Sequence, residues 1–391
     1  MKNKLIIAFL LVLGAFSARG QGASTCPYVY MEDDKFMYQG EPFVVKAITY
    51  NILFYIQNDT VLYGPDKDVY GWPSTSTYPT NQKDLLNMMN AHFKLISEMG
   101  FNTIRTLNWV RYQNFTFNGD DYIGLYIPVW DRYSNYLTGY DTDSVPPIGD
   151  DNNYEDYISF DDNMSVFFEA MDTILYLANN YGLKVLWNCG QGNLERGMPQ
   201  YLNYLDTISK RYCCNSALFA YDFWAEPKEF YNSDTSHNSY ILKQRIAELT
   251  DDMNVAIKTH DRNHFTTIGT DALWAEFDFG FKSLYCDFVN PHIYDAYYNF
   301  YGLPDYATEN VLFRDIYWFK NHITDRKWMI GETGLPGGES PELNTPGVYA
   351  DYAEQKRVTD TVLNFAVACS DMGIAWWQFH DVKWGNLKGA G

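Results

Sequence analysis

The sequence predicts an α/β fold, a (β/α)8 barrel of the TIM type in which eight parallel strands alternate with helices. Two observations carry that reading. Short β-branched or aromatic runs that end in polar residues recur eight times, and longer segments with helical periodicity separate most of them. About 370 residues remain after an N-terminal leader, with no Gly/Ser- or Pro-rich linker, no low-complexity tract and no solenoid repeat, which suits one barrel and gives no support to a second domain.

The eight runs are Phe43–Asn51, Asn102–Trp109, Lys184–Gly190, Ala217–Pro227, His264–Thr270, Cys286–Tyr294, Trp328–Pro336 and Gly373–Asp381. The amphipathic segments are Asp84–Met99, Met164–Tyr181, Gln200–Tyr212, Tyr240–His260, Val311–His322 and Tyr349–Met372. Ahead of the first run, Tyr28–Met31 and Lys35–Tyr38 flank an Asp33-Asp34 turn and read as a floor hairpin. After the eighth run only ten residues follow, so the last helix is expected to be short or missing. Long loops follow strands one and two, at Asn51–Lys83 and Val110–Asn163.

Residues 1–20 carry Lys2 and Lys4, an apolar run from Leu5 to Phe16, and then Ser17-Ala18-Arg19-Gly20. That order is a secretory signal peptide, cleaved after Gly20 or after Ser17. The apolar run is 12 residues. A membrane-spanning helix needs roughly 18 or more, and no later segment approaches that length. The expectation is an exported protein, extracellular or periplasmic, without stable membrane insertion, with residues 21–391 as a single domain and a monomer.

The formal net charge of −20 argues against nucleic acid as a partner, because a phosphate binder needs a basic face. Neutral polymers remain compatible. Rings of 33 Tyr and 11 Trp exceed what an aliphatic core requires and suit stacking on sugar faces. In an exported chain the six cysteines are available for disulfides, although the neighbours Cys213 and Cys214 are not expected to bond each other. Seven scattered histidines, without CxxC or HExxH, give no support for a zinc site, and no cofactor is expected. The acidic residues between Asp141 and Asp162 lack EF-hand order and read as a solvated loop.

Barrels of this kind place chemistry at the carboxyl ends of their strands. Strand two ends near Arg105, strand three at Trp187-Asn188, strand four at Trp224-Ala225-Glu226-Pro227, strand six at Asn290-Pro291-His292-Ile293-Tyr294, strand seven at Gly331-Glu332-Thr333-Gly334 and strand eight at Trp376-Trp377-Gln378. Glu226 and Glu332 therefore face each other across the barrel mouth. A glutamate is usually a surface residue, but each of these sits within an apolar strand, where an unpaired carboxylate is costly. Two facing carboxyls about 5–5.5 Å apart are what retaining glycoside hydrolysis requires. Arg105 and Tyr294 are expected to hold Glu332 ionised as nucleophile. Glu226, beside Trp224 and Pro227, is expected to keep a proton as general acid/base. Trp187, Asn188, His292, Tyr294 and Trp377 complete the expected sugar-binding set; Trp377 is the platform, because period two sends Trp376 to the barrel shell.

At these residues the chain resembles clan A of the glycoside hydrolases, and most resembles glycoside hydrolase family 5, the cellulase and β-mannanase family. FNTIRT around Arg105, AYDFWAEP around Glu226, DFVNPHIY around His292 and Tyr294, MIGETG around Glu332 and AWWQF around Trp377 carry the likeness, in order, across nearly the whole mature chain. The resemblance implies a covalent glycosyl-enzyme intermediate, retention of configuration and no cofactor. One departure stands out. The family usually has Asn before the acid/base, holding the sugar 2-hydroxyl, and this chain has Ala225, for which Asn188 is a candidate to compensate.

By resemblance the substrate is a β-1,4-glycan, mannan or glucan, cleaved internally. An exo-β-glycosidase acting on oligosaccharides and a carbohydrate-binding barrel without catalysis are the alternatives. Product sizes separate the first two, and binding without turnover marks the third. The loop aromatics, among them Phe54, Tyr63, Trp72, Tyr112 and Trp130, fit either a row of sugar subsites or a lid over an exo pocket.

Overall fold

The computed structural model describes residues 26–57, 60–65, 79–106, 115–118, 121–131, 157–159, 164–190, 198–227, 239–270, 284–293, 317, 320–321, 327–334, 356, 360, 364, 368, 372–379, 382–384 and 387–390. The expected leader and the acidic loop residues lie outside this set, as do Tyr294 and most of the helices expected at Val311–His322 and Tyr349–Met372. Of their described residues, 317, 320, 321, 356, 360, 364 and 368 are helical, and Met372 is a turn leading into the next strand.

Eight strands form one parallel sheet: β1 (Val45–Tyr50), β2 (Thr103–Thr106), β3 (Lys184–Asn188), β4 (Leu218–Ala225), β5 (Phe265–Gly269), β6 (Phe288–Val289), β7 (Ile330–Thr333) and β8 (Gly373–Trp376). All eight lie within the runs expected from sequence. Pairing runs β6-β5-β4-β3-β2-β1-β8-β7. Parallel bridges from Val289 to Trp328 and from His292 to Glu332 then close the ring. The fold is a (β/α)8 barrel.

Alternation along each strand divides the core in two. Val45, Ala47, Leu186, Phe219, Met329 and Ala375 fill the barrel interior, whereas Ile48, Tyr50, Ile104, Val185, Trp187, Tyr221, Ile268 and Ile374 belong to the larger cluster under the helices. The floor is closed as expected. Strands Tyr30–Glu32, Lys35–Tyr38 and Glu41–Pro42 form a small antiparallel sheet. Its turn residues Asp33 and Asp34 take φ of 47° and 68°, a region that short polar side chains tolerate. Phe36 then sets its ring 5.0 Å from Phe219, 5.1 Å from Phe265 and 5.2 Å from Phe288, plugging the amino ends of β4, β5 and β6.

Helices α1 (Gln82–Glu98), α2 (Met164–Asn180), α3 (Met198–Tyr212) and α4 (Ser239–His260) match four expected segments within two residues at each end. Asn81 caps α1 by accepting the Asp84 N–H at 3.0 Å, and Leu85, Met89, Phe93 and Ile96 form its buried stripe. His92, on the same helix, meets the Tyr50 hydroxyl at 2.9 Å and the Phe379 ring at 5.2 Å between centroids. Burial lowers its pKa to about 4. The unfolded chain thus binds a proton that the folded one refuses. Stability is fully present above the unfolded value near 6.5 and is lost as pH falls toward 4, by up to roughly 3 kcal/mol. Urea midpoints measured from pH 7 to pH 4 are expected to fall less in His92→Gln than in the parent; equal slopes would refute this.

One expectation is corrected. The regions after β1 and β2 are more than loops: Ile52–Gln57, Thr60–Pro65, Phe115–Asn118, Asp121–Asp131 and Tyr157–Ser159 make a second sheet. Two of the rings there are packing rather than cleft wall. Phe54 and Tyr63 are buried, and the Tyr63 hydroxyl reaches Glu169 at 3.3 Å and Thr173 at 2.9 Å on α2. Beyond β8, Val382–Trp384 and Leu387–Ala390 pair as an antiparallel hairpin, in keeping with the expectation of a short or missing last helix. Among the described residues, Cys26, Cys189, Cys213, Cys214 and Cys286 are free thiols, so the bonds that the sequence left open to them are not formed. The Sγ atoms of Cys213 and Cys214 touch at 3.4 Å without a bond.

Candidate active site

The polar residues of the barrel converge just above the apolar filling of its interior. Thr49, Arg105, Asn188, Asp222, Thr267, Asn290 and Glu332 come from or adjoin β1 through β7 in turn, and all are buried. Such a layer is expensive to assemble without pairing, so its hydrogen bonds are informative.

Arg105 is the hub. Its guanidinium is wholly buried and donates through Nη1 to Glu332 Oε1 and through Nη2 to Asp222 Oδ2, the latter at 3.0 Å. Burial alone would lower the Arg105 pKa, but the two carboxylates outweigh it and raise it, so the cation is permanent. Asn188 Nδ2 donates to the same Asp222 oxygen at 3.2 Å.

His292 links this cation to the second glutamate. Its Nε2 lies 3.4 Å from Arg105 Nη2, and its Nδ1 lies 2.8 Å from Glu226 Oε1 and 3.5 Å from Glu332 Oε2. Arginine can only donate, so Nε2 accepts and Nδ1–H is directed at Glu226. Burial pushes the imidazole toward its neutral form, yet Glu332 and Glu226 outweigh both burial and the Arg105 charge, and the His292 pKa is raised.

The backbone is shaped to allow this crowding. Glu226 has φ of 49°, a strained value for a non-glycine residue and one that turns its side chain at the end of β4. Its N–H donates to the Gly269 carbonyl at 2.9 Å. A Cβ on Gly269 would lie 2.7 Å from His292 Nε2, and one on Gly331 would lie 2.1 Å from the Asn290 carbonyl oxygen. Only glycine fits at either place.

The two catalytic candidates are thereby brought together. Ligand atoms of Glu226, His292 and Glu332 lie within 4.8 Å of one another. Their side chains differ in access, Glu226 being 24% and Glu332 10% exposed. Donor spacing of this kind also suits a cation, but Arg105 already occupies Glu332 Oε1 and sets a fixed positive charge beside His292. The cluster is better matched to proton handling than to a metal.

Of the expected sugar-binding residues, Trp377 lies half-buried just past β8 with its N–H on the Thr333 carbonyl at 2.8 Å, while Trp376 faces the shell. Trp187 is corrected. It points away from the site into the outer core, 5.4 Å from the Tyr212 ring and 6.1 Å from Phe167. Trp224 joins that core too, because a register shift between Asp222 and Trp224 breaks the strand's alternation. Asn188 lies beneath the mouth on Asp222, with its Oδ1 buried, a placement that removes the support for its standing in for the missing Asn at 225. Tyr294 falls outside the described residues.

Sequence reasoning missed Asp222 and the buried pair Asn51 Nδ2 to Gln378 Oε1 at 2.8 Å. The signal for Asp222 was present, since it is an acid inside the same apolar run that drew attention to Glu226.

No known family model matches the chain, and no curated protein matches it. Solved structures do. A calcium-binding mutant of Bacteroides uniformis beta-glucuronidase 2 superposes with a TM-score of 0.56 at 11% identity, over 92% of this chain and 33% of that one. The beta-D-glucuronidase of Dictyoglomus thermophilum gives 0.55 at 13%, over 93% and 50%. The GH2 beta-galacturonidase of Eisenbergiella tayi gives 0.51 at 14%, over 90% and 47%. The chain therefore spans about a third to a half of the length of these enzymes. At such identities the likeness is one of fold, and the fold it supports is the barrel whose carboxyl-end mouth holds Glu226 and Glu332.

Proposed function

We propose that this protein is a retaining β-glycoside hydrolase in which Glu332 is the nucleophile and Glu226 the general acid/base. The observation that carries the reading is the approach of the two carboxyls from the ends of β4 and β7 to within 4.8 Å, close to the spacing of about 5–5.5 Å that double displacement needs. Glu332, ion-paired to Arg105, attacks the anomeric carbon as a carboxylate while Glu226 gives its proton to the departing glycosidic oxygen. A glycosyl ester on Glu332 results. Water, deprotonated by Glu226, then attacks the same carbon and releases the sugar with its configuration retained. His292 orients Glu226 through Nδ1 and exchanges protons with it. Trp377 offers the ring on which the sugar stacks.

In the family resemblance the substrate is a β-1,4-glycan, mannan or glucan, met outside the cell by an exported, monomeric enzyme. A second reading, exo-action on short uronosides, draws support from the structural neighbours, which include beta-glucuronidases and a beta-galacturonidase. One experiment addresses both. The chain is incubated with soluble β-mannan, β-glucan, xylan, and aryl β-glycosides including an aryl β-glucuronide, and the first-formed product is followed by proton NMR. The expected product is the β-anomer, and product length separates internal from terminal cleavage. A first-formed α-anomer would overturn the double-displacement mechanism, and binding without turnover would favour a non-catalytic barrel.

A further inference from the structure

Asp222 is a buried charge that the hydrolytic steps do not use. It is fully buried at the middle of β4, four residues before Glu226, and its Oδ2 receives Arg105 Nη2 at 3.0 Å and Asn188 Nδ2 at 3.2 Å. Removing a carboxylate from water is costly, and an asparagine would fill the space without that penalty.

The charge count around Arg105 explains its presence. One guanidinium meets two carboxylates, Glu332 on β7 and Asp222 on β4, so the three groups together carry one surplus negative charge. Across Arg105 Nη2, 3.4 Å away, sits His292, and beyond it Glu226. Besides these, the titratable groups among the described residues that sense Asp222 are Cys189 and Tyr201, both held protonated by burial, and its amide partner Asn188 is neutral. A proton on the Glu226–His292 couple balances this surplus charge.

We propose that Asp222 is a positioning residue with two effects: it clamps Arg105 so that the guanidinium presents Nη1 to Glu332, and its charge keeps the acid proton on the Glu226–His292 couple. Without Asp222, Arg105 and Glu332 would balance each other, and the couple would lose its proton at lower pH. The acid-catalysed step would fail first on the alkaline side. This inference rests on the hydrolase reading above.

The test compares the full chain with Asp222→Asn and Asp222→Glu, using the aryl β-glycoside that the parent turns over fastest, and records kcat and KM from pH 4 to pH 9. Asp222→Asn is expected to lower kcat about 100-fold with KM nearly unchanged, and to move the alkaline limb of kcat/KM acid-ward by about one pH unit. Asp222→Glu keeps the charge but displaces the guanidinium, so its limb should stay in place while kcat falls about tenfold. A merely structural role lowers the active fraction and the melting temperature without moving the limb. A folded Asp222→Asn with the parent's limb overturns the proposal. Should Asp222→Asn fail to fold, Asp222→Glu decides alone, and parental kcat in that variant, or a shifted limb, overturns it. A parent chain without turnover on any glycoside sinks the hydrolase reading and this inference with it, whereas an active parent with unresponsive variants sinks only the latter.

Discussion

Glu332→Ala is expected to lose at least about 10⁴-fold in kcat on every glycoside the parent cleaves, because the group that forms the covalent intermediate is gone. The barrel should survive. Glu332 is 7% exposed at the end of β7, and its removal leaves Arg105 still paired to Asp222. Small external nucleophiles then distinguish its role from that of Glu226. Azide entering the space left by Glu332→Ala approaches the anomeric carbon from the nucleophile's side and should give the inverted, α-glycosyl azide. In Glu226→Ala the nucleophile remains, the glycosyl ester still forms from substrates with good leaving groups, and azide should give the β-product. If the stereochemistry of the two azides were exchanged, the assignments would be reversed; if both variants kept parental rates, neither carboxylate would be catalytic.

Arg105→Met is expected to be the most destabilising substitution in the site, by about 3–5 kcal/mol, since it strands Glu332 and Asp222 as buried carboxylates without their counter-charge. That is a large part of the 5–15 kcal/mol that usually holds a domain folded. The sign of its pH dependence is diagnostic. As pH falls and the stranded carboxylates take up protons, the deficit against the parent should shrink, so urea midpoints of parent and variant should converge toward pH 4. A constant gap across pH would mean that lost packing, rather than lost charge, accounts for the effect. An unchanged midpoint at pH 7 would mean that the two ion pairs do not contribute.

Much of the barrel was legible because its signals are local. Strand runs such as residues 185–187 and, but for Asp222, Leu218–Ala225 are apolar, as strands buried on both faces must be, and the stripe on Gln82–Glu98 repeats with the helical period. The regions after β1 and β2 were misread for the opposite reason. Each segment holds a local hairpin, 52–57 with 60–65 and 115–118 with 121–131, but the pairing that joins the two into one sheet, Phe54 opposite Val129, lies between residues far apart in the chain and leaves no mark within either segment. Trp187 was misassigned by one residue of register. In a strand the neighbour of an inward residue points outward, and Asn188 rather than Trp187 took the inward place.

The sequence by itself determined the order of the barrel elements, the floor hairpin, and the placement of Arg105, Glu226, His292, Glu332 and Trp377 at strand ends, because strand and helix periods and polar run-ends are properties of neighbouring residues. Only the tertiary structure decided which side chains meet. That Asp222 shares Arg105 with Glu332, that His292 spans both glutamates, and that Glu226 turns into the mouth at φ of 49° depend on the closure of β6 against β7 and on a register shift in β4. Ring closure and register are set by packing across the whole barrel, and no stretch of chain encodes them alone.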